Sequence, residues 1–282
     1  MEDQSEQSLK RALNGDINAF QNLFAGFQPQ LKSYLYRLVT DRNDADDLTH
    51  DTFVKAFDKI STFKGNASLK TWVFTIATHL AYDHLRRYKR WAVDAQDKAK
   101  ALALSNSGVY NAINRVSHAS GEGAYDMREH IDFCFTCISK TLPIEQQVAL
   151  ILKDVYDFSV QDICLILEKP LGVVKHLLVD ARKTMTGVFD HRCALINKAG
   201  VCNQCSELNG VHNPKQNQQA ALMKLDLVKA SKKFNRDALF DLRLQLVKGI
   251  DPLRSRGADL QDVIMKCTRT AIGERVAVHE IP

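Results

Sequence analysis

Apolar residues recur at intervals of three or four positions along most of this 282-residue chain, which is the spacing of an amphipathic helix. Three such stripes run through residues 17–39, 44–60 and 69–88, and almost no stretch shows the alternation of a half-buried strand. With 45% hydrophobic and 25% charged residues, the composition is that of an ordinary globular protein. The sequence therefore predicts an all-α fold and excludes a wholly disordered chain, a collagen-like fibre and a small disulfide scaffold.

Breaks in this pattern divide the chain into five segments. The stretch after the first group of helices is rich in Ala, Ser, Asn and Gly, which predicts a flexible linker with a marginal helix near 94–104. The predicted segments are a first helical module at 1–90, the flexible linker at 91–128, a second helical module at 129–186, a Cys-rich segment at 187–213 and a helical C-terminal extension at 214–282.

The second module carries the pattern of a helix-turn-helix. Ser159 with Asp162 three residues later predicts a capped helix start, and residues 168–172 interrupt the helix before Val173–Met185. The second helix of such a pair would present polar and basic side chains to base edges and phosphates. The side chains of this type are Lys175, His176, Arg182 and Lys183. Two short helices joined by a turn also occur in ordinary bundles, so a purely structural interpretation stays open.

Two charged clusters of opposite sign lie in the first module. Residues 41–51 carry five Asp and one Arg, which is typical of a surface that docks on a basic partner or of a solvated helix N-terminus. Residues 84–91 carry four Lys or Arg and two aromatic residues, which suits phosphate contact with base stacking, or a helix C-terminus rich in cations. The two clusters cancel within the formal net charge of +5, so the sum conceals them.

Three motifs of the first module follow one another in a distinctive order. They are the acidic helix Asp44–Phe53, the segment Phe63–Trp72 and the basic stretch Asp83–Arg87, and the second module adds Gly172-Val173-Val174-Lys175. With these motifs the chain resembles a bacterial RNA polymerase sigma factor of the extracytoplasmic-function group, within the sigma-70 family. The resemblance covers about residues 17–90 and 130–186.

The resemblance implies a transcription initiation factor, and not an enzyme, that binds core RNA polymerase and promoter DNA and has an anti-sigma protein as a candidate partner. Core polymerase would be bound by Asp44, Asp46, Asp47, Leu48, Asp51 and Phe53. The minus-ten element, with one unpaired base captured, would be read by Lys64, Asn66, Ser68, Lys70, Thr71, Trp72, His79, Asp83, His84, Arg86, Arg87, Lys89 and Arg90. The minus-thirty-five element would be read by Val173, Lys175, His176, Arg182 and Lys183.

The chain departs from the family pattern at three places. Thr78-His79 stands where members often have Arg-Asn, so the minus-ten preference is expected to differ. The recognition helix continues as His176-Leu177 and later contains Asp180, and Glu168 replaces the usual turn glycine. Because fewer cations and an added carboxylate remove phosphate contacts, we expect weak or altered recognition of the minus-thirty-five element.

Four candidate metal ligands follow the second module: His191, Cys193, Cys202 and Cys205. Their number and the CxxC pair suit a tetrahedral zinc site, although the spacing matches no standard finger. Reversible thiol chemistry and a metal-free segment stay open as alternatives, and the family itself requires no cofactor. The other CxxC pair, Cys134 and Cys137, lies in an apolar helical context that favours core packing.

The remaining sequence patterns predict where the protein is located in the cell and leave two alternative functions open. No window approaches the length of a membrane span, and the acidic N-terminus lacks the apolar region of a signal peptide, so we expect a cytoplasmic protein with reduced thiols. The sequence shows no HExxH, no phosphate-binding glycine loop and no evident catalytic triad. The rivals are a stand-alone helix-turn-helix regulator and a zinc- or thiol-dependent enzyme or sensor built on the extension, whose role the sequence leaves open.

Overall fold

The computed structural model of the protein describes residues 2–119, 127–192 and 236–274. Within these ranges it contains helices and no strand, which confirms the predicted all-α class. None of these helices is long and apolar enough to cross a membrane. The helices are α1 (Glu2–Leu13), α2 (Ile17–Ala25), α3 (Gln28–Val39), α4 (Arg42–Asp58), α5 (Leu69–Leu85), α6 (Ala95–Ser105), α7 (Ser107–Ala119), α8 (Met127–Ser139), α9 (Ile144–Leu150), α10 (Val160–Leu167), α11 (Leu171–Arg192), α12 (Arg236–Lys248) and α13 (Ala258–Ala271).

The chain forms two compact units. The first unit joins Met1–Lys89 to Val148–Leu178, and the second joins Arg90–Gln147 to Val179–Pro282. This division differs from the predicted modules. The middle of the predicted second module, Val148–Leu178, packs with the predicted first module. Sequence periodicity identifies which face of a helix is apolar but carries no information about which other face covers it.

Aromatic packing builds the core of the first unit. The Phe20 side chain is fully buried, and its ring lies 5.3 Å from that of Phe53 and 5.6 Å from that of Phe57 (centroid to centroid). Side-chain caps fix the helix starts around this core, since Asp16 accepts from the backbone N–H of Ala19 and the Asp41 carboxylate caps α4. Helix α4 therefore has a fixed inner face and a fixed outer face.

Helix α10 packs against α5 within the first unit. The ring of Phe158, just before α10, lies 4.8 Å from the ring of Phe74 on α5, and both side chains are buried. Tyr156 meets Tyr34 edge to face, at 6.1 Å between ring centroids. These aromatic pairs are worth more than their area alone, which accounts for the attachment of α10 to this unit.

In the second unit, helices α6 and α7 occupy the segment predicted to be a flexible linker; α6 lies at the marginal helix predicted near 94–104, whereas α7 was not predicted. Helix α13 packs against both of them. The buried residues of α6 are Ala95, Gln96, Ala99 and Ala103, and the three alanines recur at four-residue spacing. Small side chains at this spacing let α13 approach α6 closely. The Ala-rich segment is therefore a packed helix and not a flexible linker.

A buried polar cluster joins Trp91, which precedes α6, to Arg269 and Glu274 at the end of α13. The Trp91 indole donates from Nε1 to Glu274 Oε1 at 2.8 Å, and Arg269 Nε donates to Glu274 Oε2 at 3.1 Å. The ammonium of Lys140 lies 4.7 Å from the centroid of the Trp91 ring. Burial lowers the pKa of Lys140 to about 7, against the opposing attraction of Glu274.

The lowered pKa of Lys140 predicts a pH-dependent stability. The unfolded chain keeps the Lys140 proton up to its ordinary pKa, whereas the folded chain loses it near pH 7, so stability should rise between about pH 7 and pH 10. Over this window the free energy of unfolding of the wild type should rise, relative to that of Lys140→Met, by on the order of a few kcal/mol. Urea denaturation at several pH values measures it, with exposed Lys98→Met as the control; parallel pH profiles for wild type and Lys140→Met would contradict the expectation.

Candidate functional site

The outer face of α4 is acidic. Asp46, Asp47 and Asp51 are exposed, and Asp46 forms an ion pair with Lys32 from α3. Asp44 lies 3.2 Å from Nε2 of His84, so these two predicted contact residues face each other. The carboxylates on the outer face therefore form the part of the predicted polymerase surface that a partner can reach.

Two other predicted polymerase contacts point inward. Leu48 is 6% exposed, and the half-buried Phe53 ring lies 5.2 Å from the ring of Phe24. Both residues follow the apolar stripe of α4, whose neighbours α2 and α3 cover it. They hold α4 in place, and of the predicted polymerase contacts on this helix the carboxylates Asp46, Asp47 and Asp51 are exposed.

The loop before α5 is held in shape by local backbone chemistry. A 3₁₀ turn at Ile60–Thr62 leads into Gly65, whose φ of 73° is a left-handed conformation that glycine adopts without strain. Ser68 then caps α5 by accepting from the backbone N–H of Thr71 at 3.0 Å. This geometry leaves Lys64 and Asn66 exposed next to the start of α5.

A cavity of about 310 Å³ opens beside this loop. Its walls combine the Trp72 ring with a cation, an amide and threonine hydroxyls; the lining residues are Thr62, Phe63, Lys64, Asn66, Ala67, Thr71, Trp72, Thr75, Leu165 and Glu168. The Phe63 ring lies 5.5 Å from that of Trp72 (centroid to centroid) and supports it. An aromatic face with polar groups around it suits an unpaired nucleobase, which needs stacking and hydrogen bonds to its edge.

The first turn of α5 is engaged by residues from the α10 region. Thr71 Oγ1 donates to Asp162 Oδ1 at 2.9 Å, and Lys70 Nζ lies 4.8 Å from the centroid of the Phe158 ring. Burial lowers the pKa of Lys70, with the nearby Asp162 carboxylate opposing that shift. Lys70 and Thr71 thus have intramolecular contacts at the positions where the resemblance expects DNA.

Several charged side chains in the second half of α5 and just after it are exposed. Asp83, Arg86, Arg87 and Lys89 are exposed. Arg86 Nη2 lies 3.3 Å from Asp83 Oδ1, and the Arg87 guanidinium lies 5.1 Å from the centroid of the Tyr88 ring. This stretch therefore offers cations to a phosphate backbone.

Unlike the exposed cations that precede it, Arg90 belongs to the second unit and donates hydrogen bonds within it. Its Nε donates to the Leu142 carbonyl at 2.6 Å, and its Nη2 donates to the Ser139 carbonyl and to Gln147. These bonds close the turn between α8 and α9, so the structure gives this predicted DNA contact a structural role.

The helix-turn-helix begins with the predicted capping box of Ser159 and Asp162. Glu168 ends α10 with a φ of 53°, a left-handed conformation that costs a residue other than glycine about 1 kcal/mol. On α11 the predicted contacts that lie exposed are Val173, Lys175, His176 and Lys183. Arg182 instead lies 3.6 Å from Asp241 of α12 (Nη1 to Oδ1), so the extension partly neutralises one predicted DNA contact.

Comparison with known proteins decides the family. The Sigma-70 region 2 family matches residues 23–91, which contain the acidic helix, the cavity loop and α5. The Sigma-70, region 4 family matches residues 133–185, which contain the helix-turn-helix. The chain belongs to the sigma-70 family, in its extracytoplasmic-function group. It is a transcription initiation factor that directs transcription to promoters.

Two bacterial sigma factors are similar to the chain over most of their own length. The chain is 24% identical over 184 residues to the RNA polymerase sigma-H factor of Pseudomonas aeruginosa, covering 65% of this chain and 93% of that protein. It is 28% identical over 184 residues to the ECF RNA polymerase sigma-E factor of Haemophilus influenzae, covering 64% and 92%. Among solved structures, it is similar to CnrH in complex with the cytosolic domain of CnrY, with 17% identity and a TM-score of 0.47, covering 66% of this chain and 97% of that one.

The predicted zinc ligands of this sigma factor fall mostly beyond what the structure covers. His191 is exposed at the end of α11, whereas Cys193, Cys202 and Cys205 lie outside the described residues. In the described ranges, no three His, Cys, Asp or Glu side chains are grouped to hold a metal ion. Cys134 and Cys137 are buried and form no disulfide, in line with core packing, and burial raises the pKa of the Cys267 thiol to about 11.

Sequence reasoning about this sigma factor missed the contacts made by Phe158 and Asp162. Asp162 was identified only as part of a capping box, and its second oxygen accepts from Thr71. The one sequence signal for this contact is the pair of aromatic residues Tyr156 and Phe158 just before α10, which are too apolar for an exposed turn.

Proposed function

We propose that this sigma factor binds core RNA polymerase through the exposed carboxylates of α4 and reads promoter DNA with α5 and α11. The observation that carries the proposal is the cavity beside Trp72, because it combines an aromatic face with Lys64 and Asn66 at the position of the family motif. The unpaired minus-ten base enters this cavity, and the cations after α5 contact neighbouring phosphates. The protein acts without a catalytic site of its own.

The second module reads the minus-thirty-five element through the exposed side chains of α11. Lys175 and Lys183 supply charge and His176 supplies a polar edge, while Asp180 opposes phosphate contact. Recognition of the minus-thirty-five element is therefore weak or altered relative to the family pattern. An anti-sigma protein remains a proposed partner, and a cytoplasmic location and zinc bound by His191, Cys193, Cys202 and Cys205 remain predictions.

Transcription in vitro tests the function directly. Core bacterial RNA polymerase would transcribe a library of genomic fragments with and without the full chain, and RNA start sites that depend on the chain should share elements at minus ten. Co-purification with core polymerase distinguishes this function from that of a stand-alone helix-turn-helix regulator, which would bind DNA but leave polymerase behind.

Removal of the cavity's aromatic face should impair DNA melting. We expect Trp72→Ala to weaken open-complex formation about tenfold to a hundredfold, because stacking of one base is worth about 1–3 kcal/mol. Permanganate reactivity of promoter thymines measures the melted fraction. Trp72→Phe keeps an aromatic ring and should retain most of the activity, and equal melting by wild type and Trp72→Ala would exclude this base pocket.

A further inference from the structure

Apolar side chains are exposed at the start of the second helix of the helix-turn-helix. Leu171 is 45% exposed and Val173 is 42% exposed, and both lie in the first turn of α11. A single exposed apolar residue is common on a protein surface. Two of them in this turn are a different case, because the N-terminal residues of the second helix contact base edges in helix-turn-helix proteins. The exposed apolar side chains therefore lie where bases would be read.

The buried side chain of Val174 shows which residues of α11 point outward. Val174 is fully buried, and each residue of an α-helix is rotated by about 100° from the one before, so Val173 and Lys175 project from opposite flanks of the outer side. Val173, His176 and Leu177 are three and four positions apart and share one flank. Val173 and His176 are exposed, and Leu177 is half-buried. This flank therefore carries two methyl-bearing side chains and one imidazole.

Gly172 occupies the outer side of the same turn. A Cβ atom there would meet no described atom within 4 Å, so the described packing does not require a glycine at this position. Glycine inside a helix is destabilising relative to alanine. What the missing side chain does permit is a close approach of the helix backbone to a ligand on the outer side. Such an approach brings Val173 nearer to the floor of a DNA groove.

Thymine is the one base that presents a methyl group in the major groove. Bidentate contacts to guanine use Arg or Lys, and those to adenine use Asn or Gln. The flank formed by Val173, His176 and Leu177 contains none of these four residue types. Valine and leucine can instead bury a thymine methyl group, which is favourable in proportion to the apolar area removed from water.

We propose that this sigma factor selects its minus-thirty-five element by contact with thymine methyl groups, and that Val173 and Leu177 are the residues that determine this specificity. The inference rests on the proposed function, because it takes α11 as the helix that reads this element. Lys175 contacts a phosphate from the other flank, which positions the helix without adding sequence preference. His176 donates to N7 of a neighbouring purine. The selected element is therefore rich in thymine.

A promoter library tests which bases are selected. Each duplex keeps a start site that depends on the chain in the transcription experiment above, and its minus-thirty-five segment is randomised. Core RNA polymerase with the full chain is allowed to bind the library, and the bound duplexes are sequenced. We expect thymine to be enriched at two or more positions of one strand.

Deoxyuridine then removes the methyl groups and nothing else, because it pairs like thymidine. In the minus-thirty-five segment of a selected promoter, deoxyuridine should weaken binding of the polymerase complex about fourfold for each contacted methyl group, which is the equivalent of burying one such group. The same number of substitutions in the spacer should leave the affinity unchanged. The ratio of the two affinities should be the same at low and high salt, since only phosphate contacts depend on counterion release.

Variants of Val173 assign the methyl contact to this side chain. With Val173→Ala, the loss caused by deoxyuridine should disappear at one position of the element. Val173→Asn should replace thymine by adenine at that position of the selected sequence. The matched control is Val93→Ala, because Val93 is 44% exposed and lies outside α11. This control should keep the full loss caused by deoxyuridine.

Equal affinity for the thymidine and deoxyuridine promoters would overturn the methyl contact, and so would a selected sequence of guanine and cytosine alone. A randomised segment that shows no preference would overturn it together with the assignment of α11 to this element. Failure of the whole proposed function gives a different pattern. In that case the chain would not co-purify with core polymerase, and no start site would depend on it.

Discussion

The double charge reversal Asp47→Lys/Asp51→Lys should weaken binding to core RNA polymerase by about a hundredfold or more. Both carboxylates are exposed on the outer face of α4, so the substitutions leave the packed face untouched. Like charges brought together at an interface cost several kcal/mol, and each 1.4 kcal/mol is about tenfold in affinity. Titration of labelled core polymerase with the variant measures the loss.

The matched control for this reversal is Asp58→Lys, at the exposed C-terminal end of the same helix. A cation there is favourable to the helix dipole, so the control should bind polymerase like the wild type. Binding of the wild type should also weaken as ionic strength rises, because exposed charges are screened. Wild-type affinity in the double variant would show that the acidic face of α4 is a solvated surface only.

Replacement of Trp91 by Ala should destabilise the second unit by about 3–5 kcal/mol, which is the usual cost of deleting a buried large aromatic side chain. Trp91 is 3% exposed, and its removal also leaves Glu274 without its indole donor and Lys140 without the ring beneath its ammonium. Urea denaturation followed by circular dichroism measures the loss as a lower midpoint of the transition that belongs to this unit.

Trp91→Phe separates the ring from its hydrogen bond. Phenylalanine keeps an aromatic face under Lys140 but cannot donate to Glu274, so we expect an intermediate loss of about 1–3 kcal/mol. If Trp91 instead stacks on promoter bases, as its place in the basic aromatic stretch suggests, Trp91→Ala would lower DNA binding and leave the unfolding midpoint where it is. That result would contradict the buried cluster of Trp91, Glu274 and Lys140.

Local features of the structure follow closely from the sequence. The stripes of α4 and α5 were recognisable from their three-to-four-residue spacing, and the caps at Ser68 and Ser159 lie where polar residues precede apolar runs. The capping box at Ser159 was also predicted with its partner. These features depend on residues within a few positions of one another, so the sequence contains everything that they need.

Which predicted site residues face outward depended on packing between helices. Leu48 and Phe53 belong to the same motif as the exposed carboxylates, yet they point into the first unit. Arg90 belongs to the same basic stretch as Lys89, yet it donates to carbonyls at the turn after α8. A motif names the residues in a segment, but the neighbours that cover one side of that segment come from elsewhere in the chain.

The sequence by itself determined the helical class, the family and the chemistry of the two charged clusters, because periodicity and ordered motifs are local properties of the chain. Only the tertiary structure decided that α13 covers the Ala-rich face of α6 and that Phe158 attaches α10 to α5. Both contacts join apolar faces that are far apart in sequence, and many pairings of such faces bury similar area. The choice among them rests on shape and on specific partners such as Asp162 with Thr71, which no local pattern encodes.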